Sequence, residues 1–209
     1  MKYYIFGIQR TCTNYAKLLI DNNFFAEYGN KNDYGHWSYK HNGDAEDATS
    51  RLAQNTPVIF CYKEPMRWLS SIKDSSMDLV NKYGLSNFPN YTDPQLVISN
   101  SECKWSMPKA LQVWLTFHVN WIRSAHRCNM IVMNQEKMLE QPNVIDVLTR
   151  IQFKQELIKK HPQWQTIDNY VDQGVITNKK ISNKNNTLTD YQIDYINNNL
   201  PKEINNFFY

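Results

Sequence analysis

The chain has no apolar run long enough for a signal peptide or a membrane span. Met1-Lys2-Tyr3-Tyr4-Ile5 leads directly into a strand pattern, so a cytoplasmic protein with no membrane partner is expected. The four cysteines, Cys12, Cys61, Cys103 and Cys128, form neither a Cys-x-x-Cys pair nor a metal-ligand spacing. No metal is therefore expected, and the thiols should stay reduced. Charge of one sign is in slight excess only: the net +3 is too small to argue for nucleic acid. Internal repeats and linkers are also missing, so residues 1–209 read as one domain with enough length to bury a real core.

What is present is the composition of a globular α/β protein, 42% hydrophobic and 13% aromatic. Tyr3 to Ile8 reads as a buried strand, and Asn14 to Asn22 as a helix. Weak strands are expected at Phe24 to Glu27 and at Trp37 to Lys40, then a helix from Ala45 to Gln54. "PVIFCY" (Pro57 to Tyr62) is a central strand, and Pro65 suits the first turn of a helix reaching Lys82. Residues 84 to 104 are rich in turn formers and read as a long excursion. Pro108 to His126 is the strongest helix, Asn129 to Met133 another buried strand, and short helices follow near 143–158 and 188–199. Strands joined by helices imply a three-layer α/β fold, a parallel sheet covered by helices on both faces.

In such a fold ligands sit at the carboxyl ends of the strands. That rule selects the junctions after Ile8, around Lys40-His41 and after Tyr62. The first offers Arg10, Thr11, Thr13 and Asn14 ahead of a helix N-terminus, where N–H groups and the helix dipole favour an anion. The third offers Lys63, followed by Ser70 and Ser71 in the next helix. Taken singly, a threonine there is a helix cap and Lys63 a solvated charge. Together they point to a ligand with two separated phosphates. An ordinary triphosphate loop is not matched, because its Gly-Lys-Ser/Thr ending is missing and no strand-end aspartate offers itself to Mg²⁺.

Gln9-Arg10-Thr11-Cys12-Thr13-Asn14-Tyr15 and "VIFCYKEPMRWLSS" together resemble the two donor-binding motifs of the sulfotransferase family. "NMIVMNQEKMLEQPNV", with Glu136, is similar to a later strand and acidic turn of that family. The resemblance covers about residues 1–150 and implies a P-loop nucleoside triphosphate hydrolase-like fold of the sulfotransferase type. It further implies 3′-phosphoadenosine 5′-phosphosulfate as co-substrate. Arg10 takes the place of the family's lysine beside the leaving phosphate, while Thr11, Thr13 and Asn14 hold the 5′-phosphate. Tyr15 replaces a tryptophan that lies against adenine. Lys63 and Ser71 hold the 3′-phosphate. Cys12 departs from the pattern, standing where the family has glycine, and Lys63 replaces an arginine and its bidentate geometry.

Sulfuryl transfer needs a base for the acceptor hydroxyl or amine. Lys40-His41 is similar to the family's Lys-x-His and Trp-Lys-His segments, so His41 is the expected base and Lys40 its catalytic neighbour. His36 and Glu102 are the reserves, while His118, among Trp114, Phe117 and Trp121, reads as a packed helix residue. Gly174, Lys179 and Lys180 are candidates for a loop closing over the 3′-phosphate. The acceptor partner is expected to be a small molecule or a glycan. A kinase-like phosphoryl-transfer enzyme and a non-catalytic nucleotide-binding module are the alternatives.

Overall fold

A computed structural model describes residues 1–29, 41, 43–53, 55–73, 77–85, 93–99, 104–135, 141–165, 169–172, 175–178, 188–202 and 204. Trp37 to Lys40, His36, Glu102, Glu136, Gly174, Lys179 and Lys180 lie outside them. The chain divides into two compact units, Met1–Lys63 with Asn120–Asn183, and Glu64–Val119 with Lys184–Tyr209.

The first unit is built on four parallel strands: β1 (Lys2–Phe6), β2 (Glu27–Tyr28), β3 (Pro57–Tyr62) and β6 (Asn129–Asn134), in the order β2-β1-β3-β6. The register sets Phe6 beside Phe60 and Tyr62 beside Asn134. β3 is central because all six of its residues are buried, as strands sandwiched on both faces require. Alternation sorts the side chains. Tyr3, Ile5, Ile59, Cys61, Ile131 and Met133 join one core, covered by α1 (Thr13–Asn23) and by the helix Gln141–Gln155, here α6. α6 presents Val144, Val147, Leu148 and Ile151 to it, the spacing of one helical stripe. On the other face the Trp121 ring lies 4.4 Å from Phe6 and 5.4 Å from Phe60, centroid to centroid. The short helix α2 (Ala45–Ser50) is capped by Asp44, whose carboxylate accepts the Asp47 N–H.

Several elements of this unit differ from the sequence reading: β2 pairs at Glu27–Tyr28 where Phe24 to Glu27 is expected, and α2 ends at Ser50 instead of Gln54. β1 stops at Phe6, two residues early: its pairing with β3 ends at Phe6 beside Phe60, and the chain turns at Gln9-Arg10. An antiparallel hairpin, β7 (Asn169–Asp172) with β8 (Val175–Asn178), occupies a stretch that reads as loop.

The second unit holds α3 (Pro65–Lys73), α4 (Met77–Lys82), the hairpin β4 (Val97–Ser99) with β5 (Lys104–Ser106), α5 (Met107–Ser124) up to Val119, and α7 (Asp190–Asn199). The helix expected from Pro65 to Lys82 is helical at Pro65–Lys73 and Met77–Lys82, with 74–76 outside the described residues, and the expected excursion carries the β4–β5 pair. α7 starts in a capping box: Thr189 Oγ1 accepts the Gln192 N–H at 3.3 Å, and Gln192 Oε1 accepts the Thr189 N–H at 3.1 Å. The Gln192 amide then donates to the Gln95 carbonyl at 2.8 Å, and the Tyr191 hydroxyl to Asp93 at 2.6 Å, tying α7 to the 93–95 turn. Among the described residues, no helix is long and apolar enough to cross a membrane.

His118 is fully buried in α5, stacked on Trp114 at 4.0 Å, with Nδ1–H donating to the Trp114 carbonyl at 2.7 Å. Burial pushes its pKa down from 6.5 to about 3, against a small opposing effect of that hydrogen bond. Between those values the unfolded chain binds a proton that the native chain does not, so His118 removes stability as pH falls below 6.5. His118→Phe should therefore show a smaller drop in denaturation midpoint than wild type between about pH 7 and about pH 5. Equal drops would remove His118 as a source of acid sensitivity.

Candidate functional site

The site begins with a glycine. A Cβ on Gly7 would stand 2.5 Å from the Thr11 hydroxyl oxygen and 2.9 Å from the Cys61 carbonyl oxygen. Only glycine lets the chain leave β1 against β3 and fold back on itself. The return is held by Thr11, whose hydroxyl donates to the Ile8 carbonyl at 2.6 Å and whose N–H meets the same oxygen at 3.3 Å. Arg10 and Cys12 flank it with positive φ, 72° and 60°. A side-chain-bearing residue pays ~1–2 kcal/mol in that region, so the loop is strained at two positions.

Cys12 is the N-cap of α1. Its carbonyl accepts the Ala16 N–H at 3.0 Å, and its side chain makes no capping bond. The first turn carries no acidic residue. The positive end of the helix dipole is thus not offset by a local carboxylate, which suits an external anion.

Three further groups lie at the carboxyl end of the same sheet. His41, half-buried, sets Nδ1 2.7 Å from the Gly7 carbonyl oxygen. A carbonyl only accepts, so Nδ1 carries the hydrogen and the neutral ring keeps its lone pair on Nε2. Lys63, 9% exposed, is the first residue past β3. Asn134, the last residue of β6 and the register partner of Tyr62, is also buried, as is Gln135 directly after it. Gln135 Oε1 has no hydrogen-bond partner among the described residues. The sequence reading passed over these two amides. Their signal was two polar residues directly after an apolar run.

The other expected residues fall as follows. Arg10 is exposed, Asn14 half-buried and Thr13 buried, the last two in the first turn of α1. Thr11 is buried with its hydroxyl turned inward, so it closes the loop instead of facing a phosphate. Tyr15 is 1% exposed and belongs to the core under α1, so its ring has no open face for adenine. The reason is helical: Tyr15, Ala16, Leu19 and Ile20 share the inward stripe. Ser71, in the other unit, donates its hydroxyl to the Trp68 carbonyl at 2.7 Å, and Ser70 donates to Met66 at 2.9 Å. Both hydroxyls are engaged by α3 itself. Lys40 lies outside the described residues. Among the described residues, no cluster of three or more His, Cys, Asp or Glu side chains converges as a metal site would require.

The strain at Cys12 is measurable. Cys12→Gly should raise the denaturation midpoint, by up to about 1 kcal/mol in stability, since glycine adopts this φ without a Cβ penalty. A lower midpoint would show that the contacts of the Cys12 side chain with the core outweigh the backbone strain.

Comparison with protein-family models, with curated proteins and with solved structures yields no match to this chain.

Proposed function

We propose that the chain is a sulfotransferase, moving a sulfuryl group from 3′-phosphoadenosine 5′-phosphosulfate to a hydroxyl or amine acceptor on a P-loop-like, three-layer fold. The observation that carries this reading is the 2.7 Å contact between His41 Nδ1 and the Gly7 carbonyl. It joins the two stretches that the resemblance treats as separate, the donor loop and the segment bearing the base. Support comes also from the strand–loop–helix turn at residues 7–13 and from the buried Lys63 at the end of the neighbouring strand.

The residues fit the donor in part. Arg10, Thr13, Asn14 and the first-turn amides of α1 suit the 5′-phosphosulfate, and Lys63 suits the second phosphate as a point charge. Thr11 acts through loop shape, and Tyr15 gives adenine nothing to stack on. Ser71 enters on the resemblance alone. In the reaction, the acceptor oxygen or nitrogen bonds to sulfur while the bridging sulfur–oxygen bond to the 5′-phosphate breaks. His41 Nε2 takes the acceptor's proton. Arg10 offsets the charge left on the adenosine 3′,5′-bisphosphate. Lys40 is the resemblance's second cation. A small molecule or a glycan is the acceptor class, and no metal is required. Cys12, Cys61 and Cys128 form no disulfide, which suits work in the cytoplasm.

Titration calorimetry with adenosine 3′,5′-bisphosphate, ATP and AMP tests the donor. Arg10→Ala and Lys63→Ala should each weaken bisphosphate binding by roughly ten- to a hundredfold, as charge-assisted hydrogen bonds of ~1.5–3 kcal/mol are lost. Lys63→Ala alone should erase the preference over AMP. Unchanged affinity in both variants would remove the donor assignment. A preference for ATP would favour the kinase-like alternative, and selective bisphosphate binding without turnover on any acceptor class would favour a binding module.

A further inference from the structure

A loop that binds an anion must aim its N–H groups at it and keep its carbonyl oxygens, which carry partial negative charge, turned away. In the 7–12 loop the carbonyls at both ends are engaged by internal donors. Ile8 receives the Thr11 hydroxyl and N–H, at 2.6 and 3.3 Å, and Cys12 receives the Ala16 N–H at 3.0 Å. Those bonds are local. They form wherever this loop meets this helix.

The carbonyl of Gly7 is different, because its donor comes from 34 residues away: Nδ1–H of His41 at 2.7 Å. Gly7 is also closely packed: a Cβ there would meet the Thr11 hydroxyl and the Cys61 carbonyl. Rotating the Gly7 peptide would carry its oxygen away from His41 and swing the Ile8 N–H with it, because the peptide unit is planar. The bond to His41 opposes that rotation. Nδ1 carries its hydrogen both in this neutral tautomer and in the imidazolium, so the bond persists whichever charge the ring has.

We infer that His41 is a positioning residue for the anion loop: its Nδ1–H latches the Gly7 carbonyl outward and keeps the loop's amides directed at the bound phosphate. This rests on the donor-binding reading above and extends it. The residue expected to act on the acceptor side also sets affinity on the donor side, before any acceptor is present.

Two substitutions separate the roles. Asparagine places a carboxamide N–H near the position of Nδ1–H but offers no base, whereas alanine offers neither. By titration calorimetry, His41→Ala should bind adenosine 3′,5′-bisphosphate roughly three- to tenfold more weakly than wild type, the value of one hydrogen bond. His41→Asn should stay within about twofold of wild type, although neither variant can accept a proton from an acceptor. Denaturation midpoints check that both variants are folded. ¹⁵N NMR of the wild-type imidazole in the absence of any ligand should report the Nδ1–H tautomer. An Nε2–H tautomer, equal losses in the two variants, or no loss in His41→Ala would each overturn the latch. If wild type binds inorganic phosphate or sulfate but not the bisphosphate, the sulfotransferase reading falls, and the same variants with those anions decide the latch. If wild type binds none of the three, both readings fall.

Discussion

The close approach of the chain to itself at Gly7 is the constraint on which the site depends. β1 and β3 are adjacent parallel strands, and their carboxyl ends leave the sheet side by side. A chain leaving β1 there must pass within van der Waals reach of the Cys61 backbone and still return to begin α1 on the same face. It does so with no Cβ at residue 7, a hydroxyl folded back onto Ile8, and two residues held at positive φ. The strain at Arg10 and Cys12 is thus the cost of a tight turn, and the packing of α1 over the sheet stabilises it. The four buried core residues of α1, Tyr15, Ala16, Leu19 and Ile20, and their partners on α6 hold the helix down.

Electrostatics follow from that geometry. A helix pointing its N-terminus at the carboxyl edge of a parallel sheet concentrates N–H dipoles there. The chain adds positive or hydrogen-bonding groups along the same edge: Arg10 in the loop, His41 on Gly7, Lys63 after β3, and the amides of Asn134 and Gln135 after β6. Burying an amide or a lysine ammonium is unfavourable unless a partner compensates it. These polar groups thus gather at one edge of an otherwise apolar sheet.

Much of the fold was legible in the sequence, and the reason is burial on both faces. "PVIFCY" and "NMIVM" can only be strands that are covered above and below, and the structure makes them neighbours in register. α1 and α5 were legible because a single apolar stripe repeats at helical spacing. The β7–β8 hairpin and the 97–106 hairpin were not, since short, polar strands carry almost no periodic signal and are fixed by pairing.

For the site, sequence determined which chemistries are on hand: a strand followed by Gly-Ile-Gln-Arg-Thr, a lysine directly after the central strand, and a histidine in an intervening segment. Residue type and strand position suffice for that. Tertiary structure alone decided how each is used. Tyr15 and Thr11 sit in the same short motif as Arg10 and Asn14, yet the phase of α1 turns the tyrosine into the core, and the turn at Gly7 draws the threonine hydroxyl onto Ile8. His41 meets Gly7 from 34 residues away, in the connection between β2 and β3, the two strands that flank β1. The direction of a side chain depends on backbone torsions and on partners distant in sequence, and no local pattern of residues encodes either.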